Sequence, residues 1–185
     1  MSNQIYFFMK GIVFTELMEM VEAKCGDEVM DNVIEKADLP SGGAYTAVGS
    51  YPHSELVEVV SRLSEETGLS IDDLLMAYGE HLFGIFTKAY SSFFVNESSA
   101  LDFLAKIESK IHPEVHKLYP DAELPTFEIL HHSEEKLEMN YYSGRKMGKF
   151  AEGLIKGCLA YFNEKAIIET ESLEDGRKVR FSIHK

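Results

Sequence analysis

The chain has 185 residues, with 18 basic against 31 acidic side chains for a formal charge of −13, 45% hydrophobic and 26% charged residues. That balance is ordinary for a folded globular protein and excludes a disordered tail, a collagen-like repeat and a disulfide scaffold. The negative charge argues against a nucleic-acid surface or docking on an anionic membrane, since both present phosphate. The length implies one domain able to bury about 70% of its unfolded surface, enough for a sizeable internal cavity.

Cys25 and Cys158 are too few for a disulfide framework or a four-thiolate metal site, and read as two buried thiols in a reducing cytoplasm. No window reaches the roughly 18 apolar residues needed to span a bilayer. The opening MSNQIYFF lacks the basic region and cleavage site of a secretory leader. Residues 1–8 read as an extension ahead of a domain over 9–185, and a cytoplasmic location is expected.

From Ile12 the pattern is helical. Ile12, Val13, Leu17, Met20 and Val21 recur at helical spacing and Gly26 stands where that helix should end. Asp27 is placed to cap a second helix carrying Met30, Val33 and Ile34. Leu-Pro-Ser-Gly-Gly at 39–43 breaks the pattern, which resumes with Leu56, Val57, Val60 and Leu63 and stops at Thr67-Gly68. Ser70 and Asp73 resemble a capping box opening a helix through Leu74, Tyr78, Leu82 and Phe86, and a further helix is predicted from about Ser98 to Ile111.

The last third changes period. Thr126–His132 reads as extended, and Leu137, Met139 and Tyr141 alternate with polar residues. A helix is predicted from about Lys146 to Asn163, with Phe150, Leu154, Cys158 and Tyr161 on one side. Asp175-Gly176 predicts a two-residue hairpin turn before the alternating Val179, Phe181 and Ile183. Helices first, then a mostly antiparallel sheet around one helix, give a single α+β domain.

Seven histidines are present, without an HExxH pair or accompanying cysteines, and no nucleophile elbow, phosphate loop or dinucleotide fingerprint occurs. Without nucleophile–base machinery the chain is not expected to be an enzyme. His131-His132 lies in a strand, where neighbours point to opposite faces and cannot share a metal. His112 is the informative one. It stands at the edge of an apolar helical stripe, either as a core histidine satisfied by the backbone or as a metal ligand, and Pro113 should kink or restart the helix there. His116, four residues on, should face solvent.

A second signal is Tyr141-Tyr142-Ser143-Gly144-Arg145. In an extended segment alternate residues share a face, so Tyr141, Ser143 and Arg145 could present two hydroxyls and a guanidinium to one point, which suits carboxylates or phosphates. A sheet edge with an ordinary surface arginine is the other reading. Taken together, the two features ask for an atom that takes imidazole on a molecule with adjacent carboxylates, and haem b meets both demands.

With His112 placed seven residues before Tyr119-Pro120, followed by Pro125 and Tyr141-x-Ser143-x-Arg145, the sequence from Met9 onward resembles the haem nitric oxide/oxygen binding (H-NOX) domains, relatives of the haem domain of soluble guanylate cyclase. The resemblance implies haem b held between the helical part and the sheet. His112 would be its proximal iron ligand, Tyr141, Ser143 and Arg145 would grip its propionates, and Pro125 would press on its plane. Val13, Leu17, Leu82, Phe86, Phe150 and Leu154 would line the distal side.

Members that hold oxygen carry a tyrosine where Phe150 stands and a polar residue where Leu82 stands, so the resemblance implies a nitric oxide sensor, also binding carbon monoxide, without a stable oxygen complex. Tyr161 is a weaker candidate for a substitute donor. Nitric oxide would release His112, and the output would pass to a separate histidine kinase or cyclic-di-GMP enzyme. A gas carrier or scavenger, and a haem-free ligand-binding module, are the competing readings.

Overall fold

In the computed structural model residues 7–185 are described, and residues 1–6 of the expected extension lie outside them. Strand β1 (Phe8–Lys10) pairs antiparallel with β2 (Ser50–Pro52), Met9 lying opposite Tyr51. Between them run α1 (Ile12–Cys25) and α2 (Asp27–Lys36), followed by a loop. Gly26 ends α1 as its sequence position suggested, at φ 92°, donating its N–H to the Glu22 carbonyl. Asp27 is not the cap of α2. It is the first helical residue, its charge favourable at the positive end of the helix.

Helix α3 (His53–Thr67) stops at Gly68, whose φ of 74° suits glycine. Leu56, Val59, Val60 and Leu63 are buried, whereas Val57, read as part of the apolar face, points to solvent. The buried Glu55 carboxylate accepts from the Ser41 hydroxyl and from Tyr45 Oη (2.9 Å), which folds the loop after α2 back onto α3. Helix α4 (Ile71–Ala89) opens at Ser70, whose Oγ accepts the Asp73 N–H at 3.1 Å.

The single helix predicted over 98–111 is broken. Helix α5 covers Ala100–Ala105, a widened π-type turn covers Ile107–Ile111, and α6 covers His112–Leu118. The N–H of His112 reaches back five residues to the Ile107 carbonyl. Pro113 has no N–H to continue the ladder and its ring crowds the preceding turn, so the chain widens and restarts. His112 therefore presents a different face from the one that 100° per residue would give.

Strands β3 (Thr126–His132), β4 (Lys136–Tyr142), β5 (Ile167–Leu173) and β6 (Lys178–His184) form an antiparallel sheet in the order β3-β4-β6-β5, and α7 (Gly148–Tyr161) connects β4 to the far hairpin. That hairpin does not turn in two residues. Leu173 pairs with Lys178, leaving a four-residue loop in which Glu174, Asp175 and Gly176 all have positive φ.

Two cores result. Phe14, Leu17, Met30, Leu56 and Tyr78 fill the N-terminal one, and Leu101, Leu137, Met139, Cys158 and Phe181 the one between sheet and helices. Helices α4 and α7 join them at a glycine seam. A Cβ on Gly153 would stand 2.1 Å from the Met76 carbonyl oxygen, and one on Gly79 would stand 2.3 Å from that of Phe150. The fold is a single α+β domain, and among the described residues no helix is long and apolar enough to cross a membrane.

Candidate functional site

A cavity of about 280 Å³ lies between the helical part and the sheet, with almost wholly apolar walls. Its lining includes His112, Pro125, Tyr141 and Arg145, together with Val13, Leu82, Phe86, Phe150 and Leu154. Widely separated segments meet there because β1 and the start of α1 form one end, the α4–α7 pair one wall, and the π-type turn with α6 another.

The π-type turn delivers His112 to the wall with its side chain only 13% exposed. Nδ1 lies 3.2 Å from Glu108 Oε2, and the ring sits 5.8 Å from that of Phe127. Burial lowers the imidazole pKa against the opposing pull of Glu108, which favours the neutral ring, the form a metal takes. Exposed His116 faces solvent, as expected.

The donor cluster assembles by a route other than the one predicted. Strand β4 ends at Tyr142, and the chain then turns, the Ser143 Oγ accepting the Arg145 N–H at 3.2 Å. Alternation therefore does not place the three side chains. The turn brings Arg145 to the cavity, where Nη1 donates to the Phe8 carbonyl (2.9 Å) and Nη2 to the Glu123 carbonyl (2.7 Å). Ser143 is buried behind the turn and does not line the cavity. Tyr141 is 3% exposed, and burial raises its phenol pKa against the lowering effect of the Ser143 hydroxyl and the Arg145 charge.

On the other wall Leu82, Phe86, Phe150 and Leu154 offer no polar atom. Leu17 is a correction: it is buried in the N-terminal core and does not line the cavity. The cavity touches only the first turn of α1, and four further residues carry Leu17 about 6 Å along the axis, past its end. Tyr161 is half exposed and lies outside the lining, which removes it as a distal donor.

Three features escaped the sequence reading. Glu108 stands four residues before His112, a spacing that could have drawn attention to it. Glu123 accepts the Phe8 N–H at 3.1 Å across 115 residues, which no local signal announces. The hydroxyls of Tyr90 and Tyr119 meet at 2.9 Å beside the cavity.

An α+β domain enclosing an apolar cavity, with an imidazole on one wall and a guanidinium on another, is of the class that binds a largely apolar ligand through a few polar anchors. The chain belongs to the haem-NO-binding family, whose model matches residues 10–170. The members are haem-based gas-sensing domains. The chain is similar to the unliganded Fe(II) H-NOX protein of K. algicida (43% identity, 96% of each chain covered, TM-score 0.91). It also resembles the H-NOX of Shewanella woodyi, solved with IWP-051 in the Fe(II)CO state (38%, 96% of this chain and 94% of that one, TM-score 0.82). A third likeness is to the S. oneidensis H-NOX in the Fe(II)NO state (28%, 95% and 98%, TM-score 0.86). No curated protein matches the chain.

The residues present fit the family's haem b. The walls are apolar, and an imidazole, a guanidinium and a phenol line them, groups that could meet an iron and two acidic side arms.

Proposed function

We propose that this chain is a nitric oxide sensor in which His112 holds the iron of haem b, Tyr141 and Arg145 bind the propionates, and Ser143 holds the turn that presents Arg145. The observation that carries the reading is one cavity lined by His112, Arg145 and a hydrocarbon wall of Leu82, Phe86, Phe150 and Leu154. Haem held by His112 would supply an iron site able to take a diatomic gas, and nitric oxide bound there would loosen the hold of His112.

This chain's residues make such an event legible elsewhere. His112 begins α6 just after a widened turn, so a loosened hold on its ring would act on a helix entered through irregular backbone rather than through a continuous ladder. Pro125 lies on the short link from α6 to β3 and also lines the cavity, so relaxation there is passed to the sheet. That gives two states of one packed element, biased by one ligand. Phe150 and Leu82 provide no hydrogen to a ligand that gathers negative charge, which supports discrimination against oxygen. Carbon monoxide, which needs no such donor, is expected to bind.

We place the output in a separate signalling protein, a histidine kinase or cyclic-di-GMP enzyme, with no catalytic step here and no nucleic acid or membrane partner. Cys158 is buried, whereas Cys25, read as buried, is exposed at the end of α1; two free thiols fit a cytoplasmic setting. The test is the absorption spectrum of the ferrous protein alone, with nitric oxide, with carbon monoxide and in air. The reading expects both gases to bind, His112 to be lost under nitric oxide, and no lasting change in air. A stable oxygen spectrum would instead favour a carrier, and a colourless protein a haem-free module.

A further inference from the structure

One carboxylate oxygen makes two contacts that matter to the site. Glu108 Oε2 lies 3.2 Å from His112 Nδ1 and accepts the backbone N–H of Phe127 at 3.0 Å. Phe127 is the second residue of β3 and lies directly opposite Tyr141 on β4. Glu108 lies within the π-type turn and His112 just after it, four residues on, a spacing that brings two side chains together on one face of a helix.

The neighbouring cations are engaged elsewhere. Lys106 reaches Glu97 at 2.6 Å and Lys110 reaches it at 3.5 Å. Among the described residues the imidazole and the Phe127 N–H are therefore the partners of this carboxylate. A carboxylate accepts and cannot donate, so Nδ1 must carry the hydrogen and Nε2 is left with its lone pair for the cavity.

We propose that Glu108 is a positioning residue for the proximal imidazole, fixing its tautomer and ring angle, strengthening its basicity through an anionic hydrogen bond, and tying it through Phe127 to the strand pair that carries Tyr141. This rests on the reading of His112 as iron ligand. Outer partners of metal-bound histidines act in this way generally, and losing one commonly costs about 10–100-fold in affinity or activity. At this site the bond from His112 is the element that nitric oxide is proposed to break. Glu108 therefore sets how readily the sensor fires.

The test uses the haem-loaded ferrous protein, with Glu108→Gln and Glu108→Ala. Glutamine keeps an acceptor for both N–H groups and removes the charge. Resonance Raman spectroscopy should show the iron–imidazole stretch at lower frequency in Glu108→Gln and lower again in Glu108→Ala. The Fe(III)/Fe(II) midpoint potential should rise in the same order, because the lost negative charge favoured ferric iron. Release of His112 after mixing with nitric oxide should become faster, by about tenfold in Glu108→Ala. A stretch and potential unmoved in both variants would overturn the proposal, and so would lowered thermal stability with those two readouts unmoved. A wild-type protein with haem but no iron–imidazole stretch would overturn the assignment of His112 itself, and the proposal with it.

Discussion

Arg145 Nη1 donates to the backbone carbonyl of Phe8, 137 residues earlier in the chain, at 2.9 Å. The same guanidinium reaches the Glu123 carbonyl, and the Glu123 carboxylate accepts the Phe8 N–H, so strand β1, the link before β3 and the turn after β4 close on one another. Arg145 thus belongs to the cavity wall and to the tie between the first strand and the sheet.

Replacing Arg145 with alanine removes two charge-assisted hydrogen bonds from a side chain only 8% exposed. A loss of about 2–4 kcal/mol in folding stability is expected from denaturant unfolding of the haem-free protein. Haem should also dissociate faster from the variant, measured by transfer to an acceptor globin. Unchanged transfer kinetics would place the propionate contacts elsewhere.

The α4–α7 seam leaves no room for a methyl group. Gly153→Ala sets a Cβ against the Met76 carbonyl oxygen, and the helices must separate. Overpacking of this kind costs about 1–3 kcal/mol. The helix pair also carries Leu82, Phe86, Phe150 and Leu154, so ligand-binding rates should change with the thermal midpoint. Gly84→Ala, with open space around its Cβ, is the control and should leave both near wild type.

Much of this was legible in the letters. His112 and Tyr141 stand out as residue types because an imidazole beside an apolar stripe and a phenol on an alternating strand are visible locally. The arrival of Arg145 was not, because the Ser143 hydroxyl captures the next-but-one N–H and turns a segment that alternation reads as extended. Strands β1 and β2 are three residues each and pair across some forty residues, too short for a period to register. The glycine seam gives no periodic signal, since glycine reads as a weakness in a helix until a second helix is seen against it. Leu17 was misplaced because the resemblance matches positions along α1 and does not give the depth at which this cavity ends, which is the first turn of that helix.

Phe150→Tyr places a hydroxyl on the hydrocarbon wall. A buried hydroxyl without a partner costs about 1–3 kcal/mol, and a ligand with negative charge on its outer atom supplies that partner. The variant should form a lasting oxygen complex in air where the wild type does not, read from the absorption bands. An air-exposed spectrum identical to the wild type would mean that Phe150 does not face the ligand.

Acid should weaken the fold in a defined window. Burial, helped by the Arg145 charge, lowers the His53 pKa below its ordinary 6.5, and burial together with Lys24 and Lys88 does the same to His81. At both positions the unfolded chain takes up a proton that the folded chain resists. Stability is therefore fully present above about pH 6.5 and falls as pH drops through that value towards the lowered folded values. The thermal midpoint of the haem-free protein should decline as pH falls below about 6.5, and His53→Asn with His81→Asn should make that decline shallower, the remainder coming from His112, whose pKa burial also lowers. An equal slope in wild type and double variant would assign the proton uptake to other groups.

The most direct measurement is the ferrous absorption spectrum of His112→Gly beside His116→Ala, each with and without free imidazole. Loss of the wild-type spectrum in His112→Gly, its recovery on adding imidazole, and an unaltered His116→Ala are the expected results. A His112→Gly protein that keeps the wild-type spectrum without imidazole would contradict the account.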